Sequence, residues 1–192
     1  HIIIALQEIQ ARELALSDEA VLTVGSIHGG KAPNAIPDTV ELQGTIRTYD
    51  EETRTFLKNR MTEIAKGCAT TFRASAEVTF GSGCPTLDHD SDLSTCTTAY
   101  LKELLGPSKV FTAKQLTAMA GDKKPSKSAG SEDFAYVSHC VPTIMLALAA
   151  GQPENGYSYP QHHPKVKFDE SVLPGGSAVY AYTAMRWLKE HK

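Results

Sequence analysis

The chain has 192 residues, a formal net charge of −3 and a hydrophobic fraction of 41%, which is enough for one substantial core or two small ones. Its 19 Lys and Arg residues are scattered among 22 Asp and Glu residues, so no basic patch for nucleic acid is expected. The longest apolar stretch, roughly residues 141–150, is shorter than the ~20 residues of a membrane-spanning helix. We therefore expect no nucleic-acid partner and no membrane-spanning segment.

The first eighty residues show alternating helix and strand patterns. In chain order they predict a helix over residues 1–16, strands over 21–27 and 39–48, a helix capped by Asp50 and ended by Gly67, and a strand over 75–80. One leading strand would complete a βαββαβ sandwich. Because His1 already lies at helical spacing with no cap residue ahead of it, we expect the true N-terminus to lie upstream.

A second region begins where the turn-rich stretch 81–85 interrupts the pattern. It predicts a helix over 94–105 closed by Gly106, a polar loop over 121–131, a buried strand over 141–148, a short strand-like run over 165–168 and a final helix over 172–189 capped by Asp169. The four cysteines lie far apart, without a Cys-x-x-Cys pair, so we expect free thiols and predict a cytoplasmic protein.

The most specific short segment is Gln161-His162-His163-Pro164, in a loop before the strand-like run. Imidazole is a suitable ligand for zinc, manganese, cobalt or nickel. Two adjacent histidines in a loop are more often simply exposed to solvent. From the residues alone, the exposed pair is the favoured interpretation.

Two further segments carry polar groups at turns. Ser131 and the acids after it read as the start of a helix, whose free N–H groups suit an anionic substrate group, although plain capping explains the same pattern. Asn34 lies between two prolines in a loop that joins two strands, and Arg47 lies on the polar face of the second strand. Either side chain is placed to bind a ligand; a simple hairpin loop and a surface ion pair are the ordinary alternatives.

Other catalytic patterns are missing from the sequence. It contains no Gly-x-Ser-x-Gly elbow, no histidine-paired cysteine setting and no glycine-rich phosphate loop. Serine or cysteine nucleophiles and nucleotide-dependent chemistry therefore have little support.

Four ordered segments resemble the C-terminal portion of the metal-dependent N-acyl-amino-acid amidohydrolase family, which includes hippurate hydrolases, aminoacylase-like enzymes and auxin-conjugate hydrolases. They are residues 23–54, CPTLDHD at 84–90, GSEDFAYV at 130–137 and the stretch from His162 to Leu188. The resemblance implies an α/β protein with an α+β lid. Residues 1–80 would be a ferredoxin-like lid and dimerisation domain lacking its first strand. Residues 81–192 would be the C-terminal segment of the α/β metallopeptidase catalytic domain.

The resemblance also assigns residues. His162 in His-x-Pro matches the last metal ligand of a site that holds two divalent ions, for which Zn, Mn, Co and Ni are the candidates. Asn34 matches a lid residue that approaches the substrate across a homodimer, and Gly130, Ser131 and Glu132 match a loop beside the substrate cleft. Arg47 joins this substrate-binding set on the strength of its chemistry.

The same resemblance places the remaining ligands and the glutamate that activates water in N-terminal motifs that this chain does not contain. No catalytic residue is therefore predicted here, and the 192-residue chain alone is expected to be inactive. The complete protein would hydrolyse amide bonds of N-acyl amino acids or small peptides. The alternatives are a non-catalytic ferredoxin-like dimerisation module and a small-molecule-binding domain.

Overall fold

A computed structural model describes residues 1–81, 83–119, 121, 127 and 130–192. The described residues form two compact units. The first unit comprises His1–Leu87 with Lys127–Tyr136, and the second comprises Asp88–Ser126 with Val137–Lys192. The domain boundary near residue 80 stays a prediction, but the later segment that accompanies the first unit was not anticipated. Most of the polar loop over 121–131, together with Ser82, lies outside the described residues.

An antiparallel hairpin forms the centre of the first unit. Strands β1 (Ala20–Gly29) and β2 (Val40–Thr48) pair from Ala20 opposite Thr48 to Gly29 opposite Val40. Both strands were predicted, β1 from its run of β-branched and apolar residues and β2 from its alternating pattern. The structure adds a bulge at Gly25, where the register shifts by one residue between Val24 and Ser26.

The bulge decides which side chains of β1 share a face. Directly opposite residues of an antiparallel pair point to the same side, so Leu22 shares the face of Ile46, and Ile27 shares the face of Leu42. Without the extra residue, Ile27 would point to the other side. Close approach of the two strands also requires Gly44, because a Cβ at this position would lie 2.2 Å from the Thr23 carbonyl oxygen.

Two helical segments pack on this hairpin. Helix α1 (Ile2–Glu8) continues into one π-helical stretch (Ile9–Glu13), and helix α2 (Glu51–Thr71) follows β2. The core is the buried cluster Leu6, Ile9, Leu22 and Leu57. The order helix, strand, strand, helix is the part of the predicted ferredoxin-like pattern that lies between its first and last strands.

Helix α2 begins as predicted and ends later than predicted. The Asp50 side chain accepts a hydrogen bond from the Thr53 N–H at 2.7 Å, which is an N-cap. The helix runs through Gly67, so the prediction that Gly67 ends it is wrong; glycine stops a helix only where the backbone turns left-handed. That turn occurs at Arg73, with φ 58°, and the Ala74 N–H donates to the Ala69 carbonyl at 2.9 Å. This is a Schellman motif built on arginine.

The predicted strand over residues 75–80 is not a strand. These residues follow α2 without strand pairing, and Phe80 is 40% exposed. A strand forms when a neighbour satisfies its backbone groups, and the described residues supply only the β1–β2 pair. In a βαββαβ pattern, the first strand of the pattern is the natural neighbour of a strand at this position.

The second unit is built on two helices, α3 (Ser91–Leu105) and the C-terminal helix, which pack on each other. The N-cap of α3 is Asp90, which accepts from the Leu93 N–H at 2.7 Å, and Gly106 follows its end with φ 89°. The helix therefore starts three residues before the predicted position and ends where predicted.

Two short helices follow, α4 (Ala113–Met119) and α5 (Ala135–Ser138), the latter crossing from the first unit to the second. Helix α4 was not predicted, although Thr112 and Gln115 form a reciprocal capping pair that the sequence displays as Thr-x-x-Gln. Single 3₁₀ turns occur at Pro107–Lys109, Pro153–Asn155 and Glu170–Val172.

The C-terminal helix α6 (Leu173–Glu190) confirms the last predicted helix, and Asp169 accepts from the Ser171 N–H at 3.0 Å at its entry. Its contact with α3 includes Tyr100, whose hydroxyl donates to Glu190 at 2.5 Å. This hydrogen bond raises the pKa of Tyr100 to about 12. Arg186 joins the same group by ion pairs with Glu103 and Glu190.

Neither predicted strand of the second unit forms. The segment 141–148 has one buried residue, Thr143, while Val141, Met145 and Leu148 are each about half exposed. The run 165–168 is also unpaired as a strand. Buried strands of this kind need neighbours on both sides, and the described part of the chain provides none for them.

Large apolar side chains are exposed in both units. Among them are Ile27, Val40, Leu148, Tyr180 and Leu188. All four cysteines are free, as predicted. Among the described residues, none of the helices has the length and apolar character needed to cross a membrane.

We predict that Asp50→Ala lowers the free energy of unfolding of the first unit by about 1 kcal/mol, because the Thr53 N–H loses its cap. Asp50→Asn retains most of the cap, and Asp38→Ala, at an exposed loop position, is the control. The hydrogen bond from Thr53 lowers the pKa of Asp50, so this contribution is present above the ordinary carboxyl pKa and is lost as pH falls through the lowered value. Urea unfolding followed by circular dichroism checks both points; equal stabilities of the Ala and Asn variants would contradict the cap.

Candidate functional site

Asn34 lies at the tip of the loop that joins β1 to β2. The Ala35 N–H donates to the Ala32 carbonyl at 3.4 Å, which closes a turn with Pro33 and Asn34 at its centre. All residues of this loop are exposed. The loop is therefore a simple hairpin connection, one of the two alternatives considered from the sequence, and Asn34 is exposed at its tip.

Arg47 lies at the opposite end of the same hairpin. It pairs with Val21, while the loop end of β2 begins at Val40. About 23 Å of strand separates these two ends. The structure therefore does not bring Arg47 and Asn34 together within one chain. Arg47 is exposed and has an interaction partner in the structure.

Gly130, Ser131 and Glu132 lie in the segment that accompanies the first unit. The expectation that Ser131 caps a helix at this point is wrong, because helix α5 begins only at Ala135 and has four residues. The local hydrogen bond comes instead from Glu132, whose Oε1 accepts from the Phe134 N–H at 3.2 Å. Gly130 and Ser131 are exposed and Glu132 is half-buried. Ala129 lies outside the described residues.

His162 has an unusual backbone conformation. The His163 N–H donates to the Pro160 carbonyl at 3.1 Å, so His162 occupies the third position of a turn, and its φ is 71°. This position, as in a type II turn, favours glycine because a side chain there is strained. The side chain of His162 is exposed.

The neighbouring His163 is held by two contacts. Its ring stacks on Tyr159 with centroids 4.3 Å apart and planes inclined by 15°. Its Nδ1 accepts a hydrogen bond from the Lys165 N–H at 3.0 Å. The two histidines therefore have different environments: one ring is fixed against its own loop, and the other projects from a strained turn.

A cavity of about 370 Å³ adjoins this turn. Its lining residues are Gly156, Tyr159, Pro164, Lys165, Val166 and Lys167. Sequence reasoning missed the cavity. Aromatic and basic residues on both sides of the histidine pair are the sequence feature that could have indicated the cavity. Whether these side chains line one cavity depends on how the loop folds, which the sequence pattern does not give. That loop is tightly packed at Gly151, where a Cβ would lie 2.4 Å from the Tyr157 ring.

The predicted site residues are divided between the units. Asn34, Arg47 and residues 130–132 belong to the first unit, and His162 belongs to the second. Over the ranges that the structure describes, no group of three or more His, Cys, Asp or Glu side chains is arranged to hold a metal ion. The residues present thus do not form a metal site by themselves.

Comparison with known sequences gives a family for this chain. Residues 1–68 match the peptidase dimerisation domain of the M20 family. The chain is 34% identical over 183 residues to N-acetyldiaminopimelate deacetylase of Bacillus subtilis, which covers 92% of this chain and 44% of that protein. It is 30% identical over 193 residues to IAA-amino acid hydrolase ILR1-like 2 of Arabidopsis thaliana, covering 98% of this chain and 40% of the relative.

Solved structures show the same fold. A structure from methicillin-resistant Staphylococcus aureus, classed provisionally as an aminohydrolase, matches with a TM-score of 0.79 and 25% identity over 97% of this chain and 45% of that one. A dinuclear metal binding peptidase of Bacillus subtilis matches with a TM-score of 0.66 and 24% identity over 98% and 44%. The chain spans less than half the length of these relatives.

The order of elements in the first unit is consistent with the ferredoxin-like lid expected from the sequence, and the mixed helix and strand fold matches the solved structures. Both of these relatives, aligned along more than nine-tenths of the chain, are named for the hydrolysis or deacetylation of an amino-acid derivative. This chain belongs to the M20 family of amidohydrolases and peptidases, and its first 68 residues are the dimerisation domain of that family.

Proposed function

We propose that this chain is part of a metal-dependent amidohydrolase that cleaves the amide bond of N-acyl amino acids or small peptides. The observation that carries the proposal is the strained turn at His162, in a chain aligned with such hydrolases over more than nine-tenths of its length. A left-handed backbone at a non-glycine residue costs about 1–3 kcal/mol and is found preferentially at functional sites. Glycine would relieve the strain, so the presence of histidine points to a role for its imidazole.

The environment of His163 supports His162 as the metal ligand of the pair. The Nδ1 of His163 already accepts the Lys165 N–H, and its ring is stacked on Tyr159. While Nδ1 accepts this hydrogen bond, the ring hydrogen lies on Nε2, so coordination through either nitrogen would break the hydrogen bond, and a rotation of the ring would break the stacking. His162 carries neither constraint among its described contacts and projects from the turn.

The metal is proposed for the complete protein. His162 supplies one imidazole, and a catalytic site needs about three protein ligands, so the others come from outside the described residues. Divalent zinc, manganese, cobalt and nickel all suit a site of histidines and carboxylates. The 192-residue chain alone is expected to be inactive.

Substrate contacts are proposed for Asn34, Arg47, Gly130, Ser131 and Glu132. Because the hairpin separates Asn34 from Arg47 by about 23 Å of strand, one small substrate cannot contact both in a single protomer. A homodimer through the dimerisation domain resolves this difficulty, since Asn34 of one protomer can then serve the cleft of the other. Arg47 would bind within its own protomer or serve the dimer contact.

The dimer itself has a candidate surface at the loop end of the hairpin. Ile27 and Val40 share the face of β1 and β2 that the helices cover further along, yet they are 60% and 53% exposed. Uncovered apolar side chains rimmed by polar residues are typical of protein contacts. We propose that this end of the hairpin takes part in the dimer.

We predict that the complete protein hydrolyses N-acetyl, N-benzoyl or N-indoleacetyl amino acids and that removal of metal abolishes the activity. Chelation followed by titration with Mn²⁺, Zn²⁺, Co²⁺ and Ni²⁺, with amino-acid release as the readout, identifies the ion and the acyl group. The 192-residue chain is the inactive control. Activity that survives complete metal removal would contradict the proposal. A complete protein that dimerises but binds no metal would favour the non-catalytic dimerisation module.

We predict that His162→Ala lowers kcat/KM of the complete protein by at least about 100-fold, because loss of a residue that merely orients a ligand already costs 10–100-fold. Metal content measured by elemental analysis should fall in parallel. His163→Phe keeps the stacking on Tyr159 and is the matched control, with full metal content expected. The reverse pattern, metal lost with His163→Phe and retained with His162→Ala, would exchange the two assignments.

We predict that Ile27→Lys shifts the complete protein from dimer toward monomer, since a charge then replaces apolar surface at the proposed contact. Light scattering over a range of concentrations measures the shift. Leu16→Lys changes a fully exposed apolar residue before β1 and should leave the dimer intact. A dimer unaffected by Ile27→Lys would place the interface elsewhere on the domain.

A further inference from the structure

The segment Lys127–Tyr136 contains the proposed cleft loop Gly130–Glu132 and is attached to the first unit at both described ends. The attachment at each end uses a side chain to which neither the sequence patterns nor the family resemblance gives a role. Gly130 lies three residues after the first anchor, and Glu132 lies four residues before the second. The anchors are thus close enough along the chain to control where the loop sits.

Lys127 is the first anchor. Its Nζ lies 3.0 Å from Oε2 of Glu19 and 4.8 Å from the centre of the Tyr49 ring, and its carbonyl accepts the Tyr49 hydroxyl at 3.4 Å. Glu19 immediately precedes β1, and Tyr49 immediately follows β2. Because Ala20 pairs with Thr48, both partners lie at the open end of the hairpin, where the strands are hydrogen-bonded. The first anchor therefore contacts the residues that flank the open end of the hairpin.

Tyr136 is the second anchor. Its hydroxyl donates to the Gly83 carbonyl at 2.7 Å. The chain is held again three residues after Gly83, where Oε1 of Glu51 accepts a hydrogen bond from the Thr86 N–H at 2.8 Å. Glu51 lies in the first turn of α2 and also pairs with Arg54 at 2.8 Å. The second anchor thus leads to the start of α2.

Residues 132–135, in the second half of the segment between the anchors, are held by local contacts. Glu132 accepts the Phe134 N–H, and Ala135 is completely buried. The exposed part of the loop, Gly130 and Ser131, is accordingly bounded by Lys127 on one side and by the buried Ala135 on the other.

We propose that Lys127 and Tyr136 are positioning residues, which hold the loop Gly130–Glu132 against the substrate cleft through the open end of the hairpin and the start of α2. This inference rests on the proposed amidohydrolase function. The Lys127 and Glu19 side chains are 56% and 58% exposed, so their ion pair contributes little to folding. Positioning is far more sensitive, because a displacement of about 1 Å can change catalysis by up to 100-fold.

The first test is kinetic and uses the complete protein. Lys127→Met removes the charge and retains most of the aliphatic stem, and we expect KM for an N-acyl amino acid to rise about 10-fold, with kcat nearly unchanged, because the loop contacts substrate. Lys127→Arg preserves both the ion pair and the contact with the Tyr49 ring and should restore KM. Tyr136→Phe should also raise KM, whereas Tyr180→Phe, at an exposed tyrosine of α6, should not.

The second test measures amide hydrogen exchange over residues 130–135 in the same variants. Exchange should be faster in Lys127→Met and Tyr136→Phe and normal in Lys127→Arg and Tyr180→Phe, with metal content and melting temperature unchanged throughout. Unchanged exchange and KM in both anchor variants would overturn the proposal, and so would a KM change accompanied by loss of metal or of stability. Faster exchange in a complete protein that hydrolyses no N-acyl amino acid would retain the anchors and reject the amidohydrolase function.

Discussion

Backbone pairing is the constraint on which the architecture depends, because an extended segment needs a neighbour for its N–H and C=O groups before it becomes a strand. β1 and β2 satisfy each other, and their paired face supports the cluster of Leu6, Ile9 and Leu57. The apolar segments 75–80 and 141–148 have strand-like sequences and no strand beside them in the described chain. Apolar side chains of these segments and of α6 are exposed.

Features that depend on neighbours in sequence were the ones that could be predicted. Asp50 caps α2 through a contact three residues away, and Asp169 caps the 3₁₀ turn that leads into α6 through a contact two residues away. β2 alternates because one of its faces packs on helices. The reciprocal pair Thr112 and Gln115 is equally local, so the sequence contains the signal for α4 although α4 is not among the predicted helices. The prediction for Gly67 is wrong because the left-handed turn that ends α2 falls on Arg73, a residue that propensity disfavours there.

Features that depend on distant partners could not be obtained in the same way. The family resemblance singled out His162 in a doubled histidine, but the difference between the two rings depends on Tyr159 and the Lys165 N–H. The contact of Lys127 with Glu19 and Tyr49 spans most of the first unit in sequence and leaves no pattern. The separation of Asn34 from Arg47 follows from hairpin register, which alternation alone leaves open.

The bulge at Gly25 has a consequence for how this hairpin can vary. It divides β1 into two stretches that alternate in opposite phase, with Leu22 and Val24 before it and Ile27 after it on the same face. Losing or gaining one residue at this point would move the side chains at the loop end of β1 to the opposite face of the hairpin. Variation in length at the bulge is therefore constrained to keep this phase, whereas the loop around Asn34 lies outside the strand pairing, so a change in its length leaves the phase unaltered.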